Sequence, residues 1–349
     1  MRLLFIYKII FIHICLSGTV LSQNSKNHFF YIESINRNNG LSHSEVKSIA
    51  KDSDGYLWFG TDDGINRYNA YECKRKNFNL SDSSVVNKQQ MVFSVFVDKN
   101  HNLWSGISNV GIVRTNTDTG EEKQYNLICP KNTSKSIHIY DIKQDSNNNI
   151  WFASSAGLYW YDAKHDTITL CSKFPLLNNM TIHCIEIDHK NNIWIGTKNH
   201  GAFKITSDSI INYFSTITLP VIYALKIDKK GVWASSFGGG LYYADFESEY
   251  VDSFRVQEAT LGSVKNLINS FIPWGDSKFL IATYGGIFVF DKTTKYFFEC
   301  SSADFHTHNP LNIPVFDLYL DESGILWAAT KGQCIYNFYL NNNIFQTIT

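Results

Sequence analysis

Ten side chains are candidates to hold a ligand: Asp62, Asp63, Arg67, Asn109, Lys198, Asn199, His200, Phe237, Tyr284 and Lys331. All but Arg67 sit between one short apolar run and the next, which places them on corners between strands. Hydrogen-bonding groups with two aromatics, Phe237 and Tyr284, at neighbouring corners suit a sugar, whose hydroxyls need a polar rim and whose apolar face needs a flat ring. Taken singly, each is also what a solvated, self-capping loop would carry, so the ligand reading rests on them jointly. Arg67 could grip a carboxylate or sulfate bidentately, although pairing with Asp62 or Asp63 inside the fold is the expected arrangement.

Catalytic motifs are missing. There is no GxSxG, HExxH or P-loop, and Gly238-Gly239-Gly240 reads as a strand corner rather than a phosphate cradle. No catalytic residue and no cofactor is therefore expected. Asp52-Ser53-Asp54-Gly55 comes nearest to a calcium loop but lacks further carboxylates at alternate positions. His306 and His308 have no third ligand nearby, so no metal is expected either.

What positions the candidates is a repeated unit. The stretch from Asp52 to Tyr68, DSDGYLWFGTDDGINRY, joins a turn signal, an apolar strand, a small-residue corner and a second strand. Its pattern returns from Asp98, Asp145, Asp188, Asp228 and Asp321, and more weakly from Pro273, where Leu280 replaces the tryptophan. Trp58, Trp104, Trp151, Trp194, Trp233, Leu280 and Trp327 are spaced by 46, 47, 43, 39, 47 and 47 residues. A period of roughly 40 to 50 residues is that of one four-stranded propeller blade. The chain is thus expected to be all-β, a seven-bladed β-propeller of four-stranded antiparallel blades.

Before each turn lies an apolar run expected to be the innermost strand: Val46 to Ala50, Met91 to Val97, Ile139 to Lys143, Ile182 to Ile187, Val221 to Ile227, Leu267 to Ile272 and Val315 to Leu320. The Asp-x-x-Gly or Asp-x-x-Asn segment that follows is tight-turn chemistry. The tryptophans are expected between blades, where sheets face one another at about 10 Å and a large ring fills the gap. Leu280 makes the sixth blade the expected weak point of packing. Two segments compete to close the ring as an outer strand, Phe29 to Glu33 and Phe345 to Ile348.

The formal net charge is -1 with no basic stripe, which argues against nucleic acid as a partner. Arg2 and Lys8, an apolar run from Ile9 to Cys15, and Val20 and Ser22 before a cut mark residues 1–22 as a secretory signal. Residues 23–349 are then one exported propeller domain with a periplasmic address. Its six cysteines, Cys73, Cys129, Cys171, Cys184, Cys300 and Cys334, fall on or beside apolar strands without metal or redox spacing and are expected as buried free thiols.

The run from Gly40-Leu41-Ser42 through Val46, Ile49, Asp52, Gly55, Trp58-Phe59-Gly60-Thr61 and Gly64-Ile65-Asn66-Arg67-Tyr68 closely resembles the opening of the periplasmic sensor regions of hybrid two-component systems in Gram-negative bacteria. Those regions consist of two-component regulator propeller repeats, and the resemblance covers essentially all of residues 23–349. It implies a propeller that senses oligosaccharides released from complex glycans. It also implies partners in full-length relatives: downstream sensor domains, a membrane helix and a histidine kinase core, or a second copy as a homodimer. This sequence departs there, ending at Thr349 without those parts, as the N-terminal piece of a sensor or as a free-standing exported propeller would. Two alternatives stand beside the sensor. A metal-dependent propeller lyase would need His and Glu converging on the axis, and no corner carries Glu; a protein-binding scaffold would use the same face.

Overall fold

The computed structural model describes residues 29–78, 90–127, 136–300 except 179, 216, 249 and 258, and 313–340. The expected signal segment 1–22, Cys129, His306, His308 and Phe345 to Ile348 lie outside the described residues.

Each blade is built outward from its turn. In the first, Asp52 Oδ1 accepts from the backbone N–H groups of Asp54 (3.1 Å) and Tyr56 (2.9 Å), which folds Val46–Lys51 back onto Leu57–Thr61. Gly64–Tyr68 and Cys73–Lys76 complete a four-stranded antiparallel sheet in sequence order. Seven such sheets account for all the described strands, so the chain forms the expected seven-bladed propeller. The other innermost strands are Val92–Val97, Ile139–Gln144, Ile182–Ile187, Ile222–Ile227, Ile268–Trp274 and Val315–Leu320, each within a residue or two of its expected place. Each packs against its neighbours in order, and the last meets the first.

The seventh sheet draws on both ends of the described chain: Phe29–Ile35 pairs antiparallel with Ile335–Leu340 as the outer strand. Of the two candidates for closure, the N-terminal segment does the work, and no blade is left with a missing fourth strand.

Between blades, the tryptophans lie where expected. Trp58 packs with Val92, Val95 and Leu103 of the second blade, and Trp194 with Leu225, Val232 and Ala234 of the fifth. The structure adds a coupling that residue-type reasoning treated as two separate features. Each indole donates its Nε1–H to the Oδ2 of its own turn aspartate: Trp58 to Asp52 (2.8 Å), Trp104 to Asp98 (2.8 Å), Trp151 to Asp145 (3.0 Å), Trp194 to Asp188 (3.1 Å), Trp233 to Asp228 (2.8 Å) and Trp327 to Asp321 (3.2 Å). The carboxylate thus satisfies a buried donor with one oxygen and shapes the turn with the other.

The sixth blade has neither partner of this pair, and a leucine stands in the indole's place. Leu280 is fully buried against Val315, Leu326 and Phe338 of the seventh blade, while Phe271, Phe279, Phe288 and Phe290 lie on the opposite face of the sheet, against Trp233 of the fifth. Cys73, Cys171, Cys184, Cys300 and Cys334 are buried free thiols. Among the described residues no helix is long and apolar enough to cross a membrane.

Candidate functional site

All seven innermost strands carry the same irregularity. Their pairing with the next strand slips between the first and third residues: Val46/Ser48, Val92/Ser94, Ile139/Asp141, Ile182/Cys184, Ile222/Ala224, Ile268/Ser270 and Val315/Asp317. The flanking first residues are buried, while the extra residue is left unpaired, and a bulge of this kind re-aims its side chain. Those extra residues are Lys47, Phe93, Tyr140, His183, Tyr223, Asn269 and Phe316, and all seven line a single axial cavity of about 890 Å³. That volume falls within the span of roughly 300 to 1,000 Å³ typical of ligand pockets.

A second repeated bond sets the rim. In each blade the first residue of the corner donates its backbone N–H to the carbonyl just before or at the start of the innermost strand. The pairs are Asp62 to Glu45, Ser108 to Met91, Ser155 to His138, Lys198 to Thr181, Phe237 to Val221, Tyr284 to Leu267 and Lys331 to Pro314, at 2.8 to 3.2 Å. The same backbone bond therefore recurs at every blade around the mouth, while the side chains differ from blade to blade.

Together these two sets form a closed circuit of rings. Phe93 meets Tyr140 at 5.5 Å, Tyr140 meets His183 at 5.0 Å, and His183 stacks on Tyr223 at 4.4 Å with 11° between planes. Tyr223 meets Phe237 at 5.2 Å, Phe237 meets Tyr284 at 5.8 Å, and Tyr284 meets Phe316 at 6.0 Å. The Lys47 ammonium closes the circle, 4.9 Å from the Phe316 ring and 5.1 Å from that of Phe93. Asn269 stands outside the circuit, its Nδ2 donating to the Val315 carbonyl at 2.8 Å, and Phe237 and Tyr284 span the gap it leaves.

Deeper in the channel the polar groups hold the blades to one another. Ser48 Oγ accepts from Val95 N–H (2.8 Å), Asp141 Oδ2 from Ile185 N–H (2.8 Å) and Asp317 Oδ2 from Ile49 N–H (3.2 Å), each bond crossing to the next blade. Burial pushes the carboxyls of Asp141 and Asp317 up from the usual range, and Asp141 in turn holds Lys143 protonated above the usual lysine value. Lys226 and Glu186 pair at 2.6 Å. His183 is driven down to about 4, first by burial and then by the Lys198 charge, so its imidazole is neutral at neutral pH. Its Nε2 is buried without a hydrogen-bond partner among the described residues.

The ten candidate residues divide. Asp62, Lys198, Phe237, Tyr284 and Lys331 are first corner residues and stand at the mouth, with Lys198, Tyr284 and Lys331 lining the cavity itself. Asp62 pairs with Lys47 at 3.1 Å. The second and third corner residues turn outward. Asp63 is held by both Arg75 terminal nitrogens at 2.9 and 3.0 Å, Asn109 Oδ1 accepts from Ser136 Oγ at 2.9 Å, and Asn199 and His200 are exposed. Arg67 departs from expectation. It pairs with neither Asp62 nor Asp63 but stacks its guanidinium 3.4 Å from the Tyr56 ring centre, alongside Trp58 at 5.5 Å. It lies opposite Trp58 in the sheet, near the turn end of the blade and away from the mouth.

Sequence reasoning missed the bulge ring: Lys47, Phe93, Tyr140, His183, Tyr223 and Phe316. A signal was present, since each is a polar or aromatic second residue directly after a buried aliphatic one in its innermost strand. The described residues contain no group of three or more His, Cys, Asp or Glu side chains arranged to hold a metal.

Three segments, 40–63, 133–156 and 176–199, match the two-component regulator propeller family model. No curated protein matches the chain significantly. Among solved structures, the chain is similar to the extracellular domain of BT3049 of B. thetaiotaomicron, assigned to a hybrid two-component system: TM-score 0.70, 18% identity, 88% of this chain and 42% of that one. It is also similar to the extracellular domain of BT4673 of the same organism, assigned to a one-component system, with TM-score 0.67, 20% identity, and 89% of this chain against 40% of the other. This chain thus spans well under half the length of either. Virginiamycin B lyase of Staphylococcus aureus shares the fold at TM-score 0.65 and 14% identity, over 85% of this chain and 96% of the lyase. Three of its repeats thus match the two-component regulator propeller model, and its fold is that found in those extracellular domains.

Proposed function

We propose that the chain is an exported, periplasmic sensor propeller, mature from residue 23, that binds an oligosaccharide at the mouth of its axial channel without turning it over. The observation that carries this reading is the closed circuit of rings around a cavity of about 890 Å³, bordered by hydrogen-bonding corner residues. Rings set about a polar rim suit a sugar, which offers apolar C–H faces and peripheral hydroxyls. Similarity in fold to extracellular domains of two regulatory systems supports sensing, with output in downstream domains of longer relatives or through a second copy.

A lyase reading has less support despite the shared fold. The cavity's glutamates are already engaged, Glu186 with Lys226 at 2.6 Å and Glu45 with Lys47 at 3.5 Å. The test is thermal melting and calorimetry of the exported chain against a panel of oligosaccharides, with and without divalent metal. A binder at about one hundred times its Kd raises apparent stability by about 2.7 kcal/mol. Tyr284→Ala should abolish that rise, measured from the variant's own lowered unliganded baseline, since the ring also packs on Phe237 and Phe316. Metal-dependent turnover, or no response to any saccharide, would overturn the reading.

A further inference from the structure

Six lysines line the axial cavity, and four are matched: Lys47 with Asp62 and Glu45, Lys51 with Glu322, Lys143 with Asp141, and Lys226 with Glu186. Lys198 and Lys331 have no carboxylate partner among the described residues. Both are exposed first corner residues at the mouth, fixed through their backbones by the same bond, Lys198 N–H to Thr181 at 3.0 Å and Lys331 N–H to Pro314 at 3.0 Å. Their order around the mouth gives them meaning. The corners of blades four to seven read Lys198, Phe237, Tyr284, Lys331, a cation at each end of two adjoining rings. The Lys331 ammonium lies 5.4 Å from the Tyr284 ring centre, so one end of the arc is already a joined cation and ring.

We infer that the mouth selects acidic saccharides, bearing carboxylate or sulfate, whose sugar rings lie along Phe237 and Tyr284 while their anionic groups meet Lys198 and Lys331. This rests on the saccharide reading above and narrows its ligand class. An unpaired ammonium beside an aromatic wall favours an anion over a hydroxyl, because a charge-assisted hydrogen bond is roughly twice as strong as a neutral one. The remaining rim sets orientation. Asp62 and Glu45 on the first blade are engaged by Lys47, so an anion placed there meets two carboxylates rather than a free cation.

The experiment uses matched acidic and neutral pairs on several backbones: tetragalacturonate against galactotetraose, oligoglucuronate against its glucose counterpart, and a sulfated galactotetraose, with tetra-aspartate as an acidic peptide control. Calorimetry is run on the wild-type chain, Lys198→Gln, Lys331→Gln and the double variant, at low and raised ionic strength. In at least one pair the acidic member should bind about tenfold or more tightly than the neutral one. Each single variant should remove part of that preference, the double variant should erase it, and salt should weaken only the acidic member. The carboxylate and sulfate arms identify which anion is preferred. Neutral sugars that bind equally well, a preference that survives in the double variant, or tetra-aspartate binding as tightly as the acidic sugar would overturn the inference while leaving the propeller a binder. Failure of every saccharide would remove the sugar reading and this inference with it. Unliganded melting temperatures of the variants should stay close to wild type, since both lysines are exposed and neither has a carboxylate partner among the described residues.

Discussion

The coupling of each turn aspartate to its tryptophan can be measured, and blade four is the place to do it. Asp188 Oδ1 accepts from the N–H groups of Lys190 and Asn192 at 2.9 Å, and its Oδ2 accepts from Asn192 Nδ2 at 2.9 Å and Trp194 Nε1 at 3.1 Å. Trp194 has no exposed surface, and Asp188 is 8% exposed. In Asp188→Ala the turn N–H groups regain water, but the indole N–H cannot, and an orphaned buried donor costs about 1–3 kcal/mol. Adding the loss of the charged turn acceptor, the whole change should destabilise by about 3–5 kcal/mol, less than a simple sum because the bonds share one carboxylate. Trp194→Phe, which keeps a ring but removes the donor, should cost about 1–3 kcal/mol. If aspartate and indole act as one unit, the double variant recovers about 1–2 kcal/mol of the sum, because no orphaned donor remains. The assay is urea unfolding followed by far-ultraviolet circular dichroism on all four proteins. Additivity within about 0.5 kcal/mol would refute the coupling and return both residues to separate roles. The pH dependence supplies an internal check. Burial raises the Asp188 carboxyl, but hydrogen bonds from Asn192 and Trp194 outweigh it and leave it below the usual range. Its contribution is therefore present above the unfolded carboxylate value and is lost as pH falls toward the depressed one.

His183 makes a second pH-dependent prediction with a different window. Its folded value of about 4 lies below the ordinary 6.5, so between these values the unfolded chain binds a proton that the folded chain refuses. Stability should be full above pH 6.5 and decline by about 2–3 kcal/mol as pH falls to 4, and His183→Phe, which keeps the stack on Tyr223, should flatten that decline in pH-resolved chemical melts. Ring closure gives the remaining prediction: a chain beginning at residue 37 lacks the Phe29–Ile35 strand, exposes the Ile335–Leu340 edge, and should melt lower and associate by light scattering, whereas one beginning at residue 23 should remain monodisperse.

The fold was largely legible because it rests on period and on turn chemistry, both local properties. Spacing of Trp58 and its equivalents counted the blades, and the apolar runs located the innermost strands to within a residue or two. Closure was not legible, since Phe29–Ile35 and Phe345 to Ile348 have similar patterns and only three-dimensional pairing distinguishes them. The burial of Leu280 was hidden for a related reason. Val315, Leu326 and Phe338 of the seventh blade close over that leucine, which column-by-column comparison at Leu280 does not register. At the site, corners were legible as a class, but which corner residue faces the axis was not. That depends on a backbone bond from the first of them, and it separates Asp62 from Asp63 and Lys198 from His200. The bulge ring was the larger omission: a polar or aromatic second residue marks each innermost strand, but the slip that turns it to the axis is a matter of backbone pairing, which residue types do not record.

The seven bulges and seven corner bonds also explain how one frame can accept different ligands. Both devices are made by backbone atoms, so the two side chains they present in each blade can change without disturbing what holds the blade in place. Stability resides elsewhere, in the aspartate–indole pairs at the opposite end of six of the blades and in the third-position groups, Ser48, Asp141 and Asp317, that cross to the next strand. Where the presented pair is joined within one blade, as Lys47 is to Asp62, the rim is closed upon itself and offers little to a ligand. Where it is not, from Lys198 round to Lys331, cations and rings remain available. The mouth is therefore polarised around its circumference although its backbone is not, and that asymmetry gives a ligand a single preferred way to lie across a nearly symmetric ring.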